Sequence, residues 1–144
     1  MQHNRGIGIG EMSRRTGVKV PTIRYYEQEG LLPEPDRSEG NQRRYNRSHL
    51  DRLMFIRHAR DLGMSTKAVR ELVQLSSNPE KSCSVANQIA SSHLADVRDR
   101  IARLRSLETE LERIAKSCRG GTIGECSVIA ALSDHTLCKT EHSL

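Results

Sequence analysis

Large side chains are scarce in this chain. Its 144 residues include no Trp, a single Phe at position 55, and three Tyr at positions 25, 26 and 45. A polar chain with so few bulky residues is poorly equipped to bury a large core alone, so oligomerisation is expected. The same scarcity argues against an aromatic pocket for a bulky organic effector. No apolar run approaches the length needed to span a bilayer, and Met1-Gln2-His3-Asn4-Arg5 lacks the apolar core of a signal peptide. These absences predict a cytoplasmic protein with no membrane partner. There is no evident nucleophile–base pairing and no nucleotide-binding loop, so an enzyme is not expected. Four Cys in a reducing compartment read as metal ligands or reactive thiols rather than structural disulfides.

What is present is unevenly distributed. Residues 1–70 carry 14 Lys and Arg against 8 Asp and Glu, whereas residues 71–144 carry 9 against 10. A basic excess confined to one half is the footprint of nucleic-acid binding. A solvated basic surface is the plainer alternative. Ile7-Gly8-Ile9 reads as a brief strand or the lead into a helix over Gly10 to Thr16, which Gly17 ends. Pro21 suits the first turn of a second helix reaching Glu29, with Ile23, Tyr26 and, in one register, Tyr25 facing inward. Two short helices around a glycine turn form a helix-turn-helix. The prolines of Leu31-Leu32-Pro33-Glu34-Pro35 and the turn at Glu39-Gly40-Asn41 then predict a small hairpin, a wing, ending in Arg43-Arg44-Tyr45. Ser48 is positioned to cap a helix running to about Leu62, and Ser65 to cap the next.

From Cys83 the chain has no Gly or Pro until Gly120. Within that stretch Val97, Ile101, Leu104, Leu107, Leu111, Ile114 and Cys118 step by 4, 3, 3, 4, 3 and 4. That is a coiled-coil seam, and a two-stranded antiparallel coil is the simplest way to bury it. Cys118 and Cys126 enclose Arg119-Gly120-Gly121-Thr122-Ile123-Gly124-Glu125, a loop able to fold around a small ion. A helix from Cys83 to Cys118 would be roughly 50 Å long, so one chain cannot gather all three sulfurs. Two antiparallel chains can, placing Cys83 of one beside Cys118 and Cys126 of the other. Val128, Ile129 and Leu132 suggest a two-turn helix lidding the site.

The fold class is therefore mainly α. A winged helix-turn-helix domain with a helical extension (1–76) precedes a dimerisation helix (77–118) and a metal-binding loop, short helix and tail (119–144). Thr22, Arg24 and Tyr25 begin the recognition helix and face the major groove, Arg24 reading a base or holding a phosphate. Arg43, Arg44 and Tyr45 suit backbone contacts. Arg14, Arg15 and Lys19 either join that interface or are simply solvated. Cys118 and Cys126 read as metal ligands, the plain alternative being small buried residues at a helix end. Cys83 is a third ligand or a thiol packed against the partner coil. His93 reads better as an interface histidine than as a ligand. His135, Cys138 and His142 form an accessory site or are surface residues.

Gly-Glu-Met-Ser-Arg-Arg-Thr-Gly-Val (10–18), Thr-Ile-Arg-Tyr-Tyr-Glu-Gln-Glu-Gly-Leu-Leu-Pro (22–33) and Arg-Arg-Tyr (43–45) together resemble the MerR family of bacterial transcription regulators. The likeness covers roughly residues 7–132, and its long helix and Cys-loop-Cys ending resemble the metal-sensing branch. The resemblance implies a homodimer on promoter DNA. It also implies that metal binding drives a distortion realigning the elements read by RNA polymerase, activating metal-resistance or efflux genes. It maps Cys83, Cys118 and Cys126 onto the cysteines of zinc, cadmium, lead or mercury sensors; copper(I) and silver sensors carry Ser where Cys83 stands. The seven residues between the loop cysteines instead resemble the copper sensors. Cys83 weighs more, because a third soft donor favours a divalent thiophilic ion over linear Cu(I). The expected effector is Cd(II), Pb(II) or Zn(II), with Hg(II) or Cu(I) as alternatives and a thiol redox sensor as a rival on the same scaffold.

Overall fold

A computed structural model describes residues 6–134 and residue 136. The chain is mostly helical with a small two-stranded wing, and it divides into two compact units, one up to Ile89 and one from Ala90. Among the described residues no helix is long and apolar enough to cross a membrane.

The first unit opens with Ile7, whose backbone pairs antiparallel with Tyr45. Helix α1 (Ile9–Thr16) ends at Gly17, whose φ of 72° is left-handed, the conformation a helix stop needs and glycine adopts without strain. Buried Thr16 donates from Oγ1 to the Met12 carbonyl at 2.7 Å and accepts from the Val18 amide at 3.2 Å, so the turn into the next helix is held from inside. Helix α2 (Val20–Gln28) carries Pro21 in its first turn and buries Ile23 and Tyr26. Tyr25 does not share that face: it is exposed, because adjacent helical positions diverge by about 100°.

Strands β1 (Asp36–Arg37) and β2 (Arg43–Arg44) pair antiparallel, Asp36 opposite Arg44 and Arg37 opposite Arg43. Asn41 turns the hairpin with a φ of 60°, tolerated by its short polar side chain. Helix α3 (Arg47–Asp61) starts two residues earlier than a Ser48 cap would dictate. Its cap is Asn46, whose side chain accepts from the His49 amide while the His49 ring accepts from the Asn46 amide. This reciprocal capping box uses a histidine where Glu or Gln is usual, which is why the sequence pattern pointed to the neighbouring serine. Helix α4 (Thr66–Ser76) is capped by Ser65, as expected. Met12, Ile23, Leu31, Leu32, Tyr45, Leu53, Ile56 and Val69 form one core that joins α1–α4 and the wing.

Helix α5 (Ser84–Ser117) is continuous over 34 residues, about 50 Å at the usual rise. In the second unit it leads through a glycine loop and a 3-10 turn (Ile123–Glu125) into α6 (Ser127–Ser133). Glu110, Ile114 and Ala131 are the buried residues there. The seam residues Ile101, Leu104 and Leu111 are 43%, 64% and 61% exposed within the single chain.

Candidate nucleic-acid interface and thiol site

In the first unit, α2 and the wing border a basic groove. Arg24, Arg37 and Arg43 line it together with Asn41, Gln42 and the Gly8-Ile9-Gly10 start of α1. Arg24 and Tyr25 are exposed on α2, and Thr22 is half-buried in its first turn. Lys19 is exposed at the α2 N-cap. Arg14 and Arg15 both pair with Glu11 on α1, Arg15 at 2.8 Å, so their charge is partly spent locally. Arg44 is exposed and donates weakly to the Gly6 carbonyl at 3.4 Å.

Tyr45 departs from expectation. It is 1% exposed, packs edge-on against His49 and donates its hydroxyl to Glu27. Burial, followed by the Glu27 carboxylate, raises its phenol above the ordinary tyrosine value. A ring in that position holds the wing to the core and offers nothing to a DNA backbone. Arg37 and Gln42, which the sequence reading passed over, do line the groove. Arg37 lies opposite Arg43 across the hairpin, and pairing the two arms around Gly40 would have brought it to notice.

In the second unit α5 ends beside the thiol loop. Ser117 donates to the Ile114 carbonyl at 2.6 Å and, its one proton so used, accepts from the Ser127 hydroxyl at 2.9 Å, which ties the two ends of the loop together. Gly120 and Gly121, with φ of 81° and 101°, supply left-handed turns that let so short a segment reverse. The Glu125 amide donates to Thr122 and the Cys126 amide to Ile123, both at 3.1 Å. Cys126 then opens α6, its carbonyl accepting from the Ala130 amide at 3.0 Å.

The result brings the Cys118 thiol near enough to Cys126 to favour the Cys126 anion. Neither is oxidised, and Cys118 is exposed while Cys126 is half-buried. The Cys126 thiol is pulled below its ordinary value by the backbone amides of Ile129 and Val128, with a further contribution from Cys118 and some opposition from desolvation. No cap hydrogen bond closes onto the neutral thiol; the amides act on the anion, whose charge they complement. Two facing sulfurs, one biased toward thiolate, fit a soft metal ion.

Cys83 is exposed and immediately precedes α5. Among the described residues no three metal-ligating side chains of one chain come together. His93 is half-buried on α5, and His135, Cys138 and His142 lie outside the described residues.

A winged helix-turn-helix with a basic groove, carried with a long helix and a cysteine loop, defines a DNA-binding regulator. Residues 8–76 match the family described as MerR HTH family regulatory protein, and residues 50–114 match the domain described as MerR, DNA binding. The HTH-type transcriptional regulator ZntR of Escherichia coli K12 is 39% identical over 127 residues, covering 86% of this chain and 90% of that one. The mercuric resistance operon regulatory protein of Serratia marcescens is 37% identical over 126 residues, covering 86% and 85%. Among solved structures, the transcription regulator PbrR691 from Ralstonia metallidurans CH34 in complex with lead(II) is 43% identical with a TM-score of 0.78, covering 88% of this chain and 98% of that one. The chain belongs to the MerR family of helix-turn-helix transcription regulators.

Proposed function

We propose that this regulator is a homodimer that senses a divalent thiophilic metal ion, Cd(II), Pb(II) or Zn(II), and activates metal-resistance or efflux genes. The observation carrying this reading is the facing Cys118–Cys126 pair at the end of an unbroken helix whose other end abuts Cys83. A third soft donor from a partner protomer's Cys83 completes a three-thiolate site, which suits a divalent ion better than a linear monovalent one. Relatives are named for mercuric resistance, and one is solved with lead(II). The exposed α5 seam supplies the dimer contact. The organisation is then a DNA-binding domain (1–76), a dimerisation helix (77–118) and a sensing loop and tail (119–144). On promoter DNA, each protomer grips one half-site; the ion reorganises the loops, the DNA is untwisted, and RNA polymerase finds its elements aligned.

One feature favours a different ion. The seven-residue span between Cys118 and Cys126 resembles that of copper(I) sensors. A titration of the reduced dimer with competing chelators, paired with in-vitro transcription, separates the two. The three-thiolate reading expects Cd(II), Pb(II), Zn(II) or Hg(II) to bind and induce, and Cu(I) to induce poorly. Induction by Cu(I) with indifference to the divalent ions would show that the loop, and not Cys83, sets selectivity.

A further inference from the structure

Glu27 is an odd residue for a DNA-facing helix. Its side chain is only 8% exposed, in the last turn of α2, where the helix dipole disfavours a carboxylate. With Glu34 it also lines a hollow that shares Arg24, Arg37 and Arg43 with the basic groove a polyanion is expected to enter. Both effects cost stability or affinity, so the carboxylate needs a compensating role. Its two oxygens supply one. Oε1 accepts the Tyr45 hydroxyl, and Oε2 accepts Arg43 Nε at 3.0 Å. A single buried carboxylate therefore bridges the recognition helix to the wing strand and to the residue following it.

Arg43 spends only Nε on the protein. Its terminal guanidinium nitrogens have no acceptor among the described residues, and the side chain lines the groove. A guanidinium held by one edge keeps its remaining planar donors free for a phosphate or a base edge.

Resting on the reading of this unit as a DNA-binding domain, we infer that Glu27 is a positioning residue for DNA recognition: with Tyr45 it clamps the wing to α2 and presents the free edge of Arg43 to the duplex. This assigns a direct role in affinity to a negative charge at the interface. Simple electrostatics predicts the opposite sign, since removing a carboxylate near DNA should tighten binding.

The test uses the full chain and a duplex enriched by the wild-type protein from a randomised pool. Wild-type failure to bind any duplex above background would sink the DNA-binding reading itself. Given wild-type binding, Glu27→Gln is expected to weaken affinity about tenfold and to lower the salt slope by about one phosphate contact. Arg43→Ala should do the same, and the double variant should be no worse than Arg43→Ala alone. Arg43→Lys keeps both charges but has one ammonium for two tasks, so it should lose as much as Arg43→Ala; it decides the matter if Glu27→Gln does not fold. Unchanged or tighter binding by folded Glu27→Gln, additive losses in the double variant, or wild-type affinity in Arg43→Lys would each overturn the inference.

Discussion

Two glycines with nearly the same backbone separate conformational strain from crowding. Gly17 and Gly30 have φ of 72° and 71°, a region costing an L-residue about 1–2 kcal/mol. A Cβ at Gly30 meets nothing within 4 Å, whereas one at Gly17 would lie 2.4 Å from Arg57 Nη1. That nitrogen donates to the Thr16 carbonyl, closing α1 from across the core. Gly30→Ala should therefore show the strain alone. Gly17→Ala should add the lost Arg57 contact, roughly another 1 kcal/mol, in urea denaturation followed by circular dichroism. Equal losses at the two positions would mean that Arg57 swings aside freely. At Cys126 the residue-scale question is protonation. Its thiol sits below the ordinary value because the amides of Ile129 and Val128 favour the anion. Below that depressed value the sulfur is protonated, and a proton must be displaced for metal to bind. Metal affinity should thus decline as pH falls through the Cys126 value, and that decline should begin at lower pH than for an ordinary thiol. Val128→Pro deletes one amide at a first-turn position that accepts proline. It should move the iodoacetamide reactivity profile of Cys126 to higher pH, read by mass spectrometry.

At the scale of elements, periodic apolar spacing and glycine stops made the helices legible, because those signals are local. The order α1, α2, wing, α3, α4, α5 follows the sequence reading closely, and Gly17 and Ser65 play the roles their chemistry suggested. Long-range pairings were not legible. Tyr45, in a basic run, looked DNA-facing, yet it reaches across 18 residues to Glu27 and pairs its backbone with Ile7. Neither contact leaves a local trace. The Asn46–His49 box escaped for a related reason: its second member is an uncommon capping partner. Of the thiol site, the loop and its glycines were legible, whereas the closing Ser117–Ser127 bond was not, since serines mark many positions. The α5 seam remains open to test. Leu104 is 64% exposed in the single chain and sits in phase with Ile101 and Leu111. A buried unpaired carboxylate there would cost several kcal/mol, so Leu104→Glu should sediment as a monomer, while Arg103→Ala, one step off the seam, should stay dimeric. Dimeric Leu104→Glu would remove the coil from the proposed assembly.

At the scale of the whole molecule, the central question is whether sensing is built by one chain or two. Cys83 abuts the start of α5 and Cys118 abuts its end, so a three-thiolate site within one protomer would require that helix to break. Sharing between protomers leaves it intact, and the two arrangements respond differently to mixed dimers. A Cys83→Ser homodimer and a Cys118→Ser homodimer both lack a complete site under either arrangement. In a heterodimer purified through two different tags, sharing reunites Cys83 of the Cys118→Ser chain with Cys118 and Cys126 of the other. One of the two sites is then whole, and half of the wild-type Cd(II) or Pb(II) stoichiometry should return, with thiolate-to-metal absorption to match. If each chain instead assembled its own site, every site in the heterodimer would still carry a serine, and mixing would restore nothing. Recovery at half stoichiometry thus places the sensing chemistry across the dimer, and its absence in a heterodimer of verified composition would return all three cysteines to a single chain.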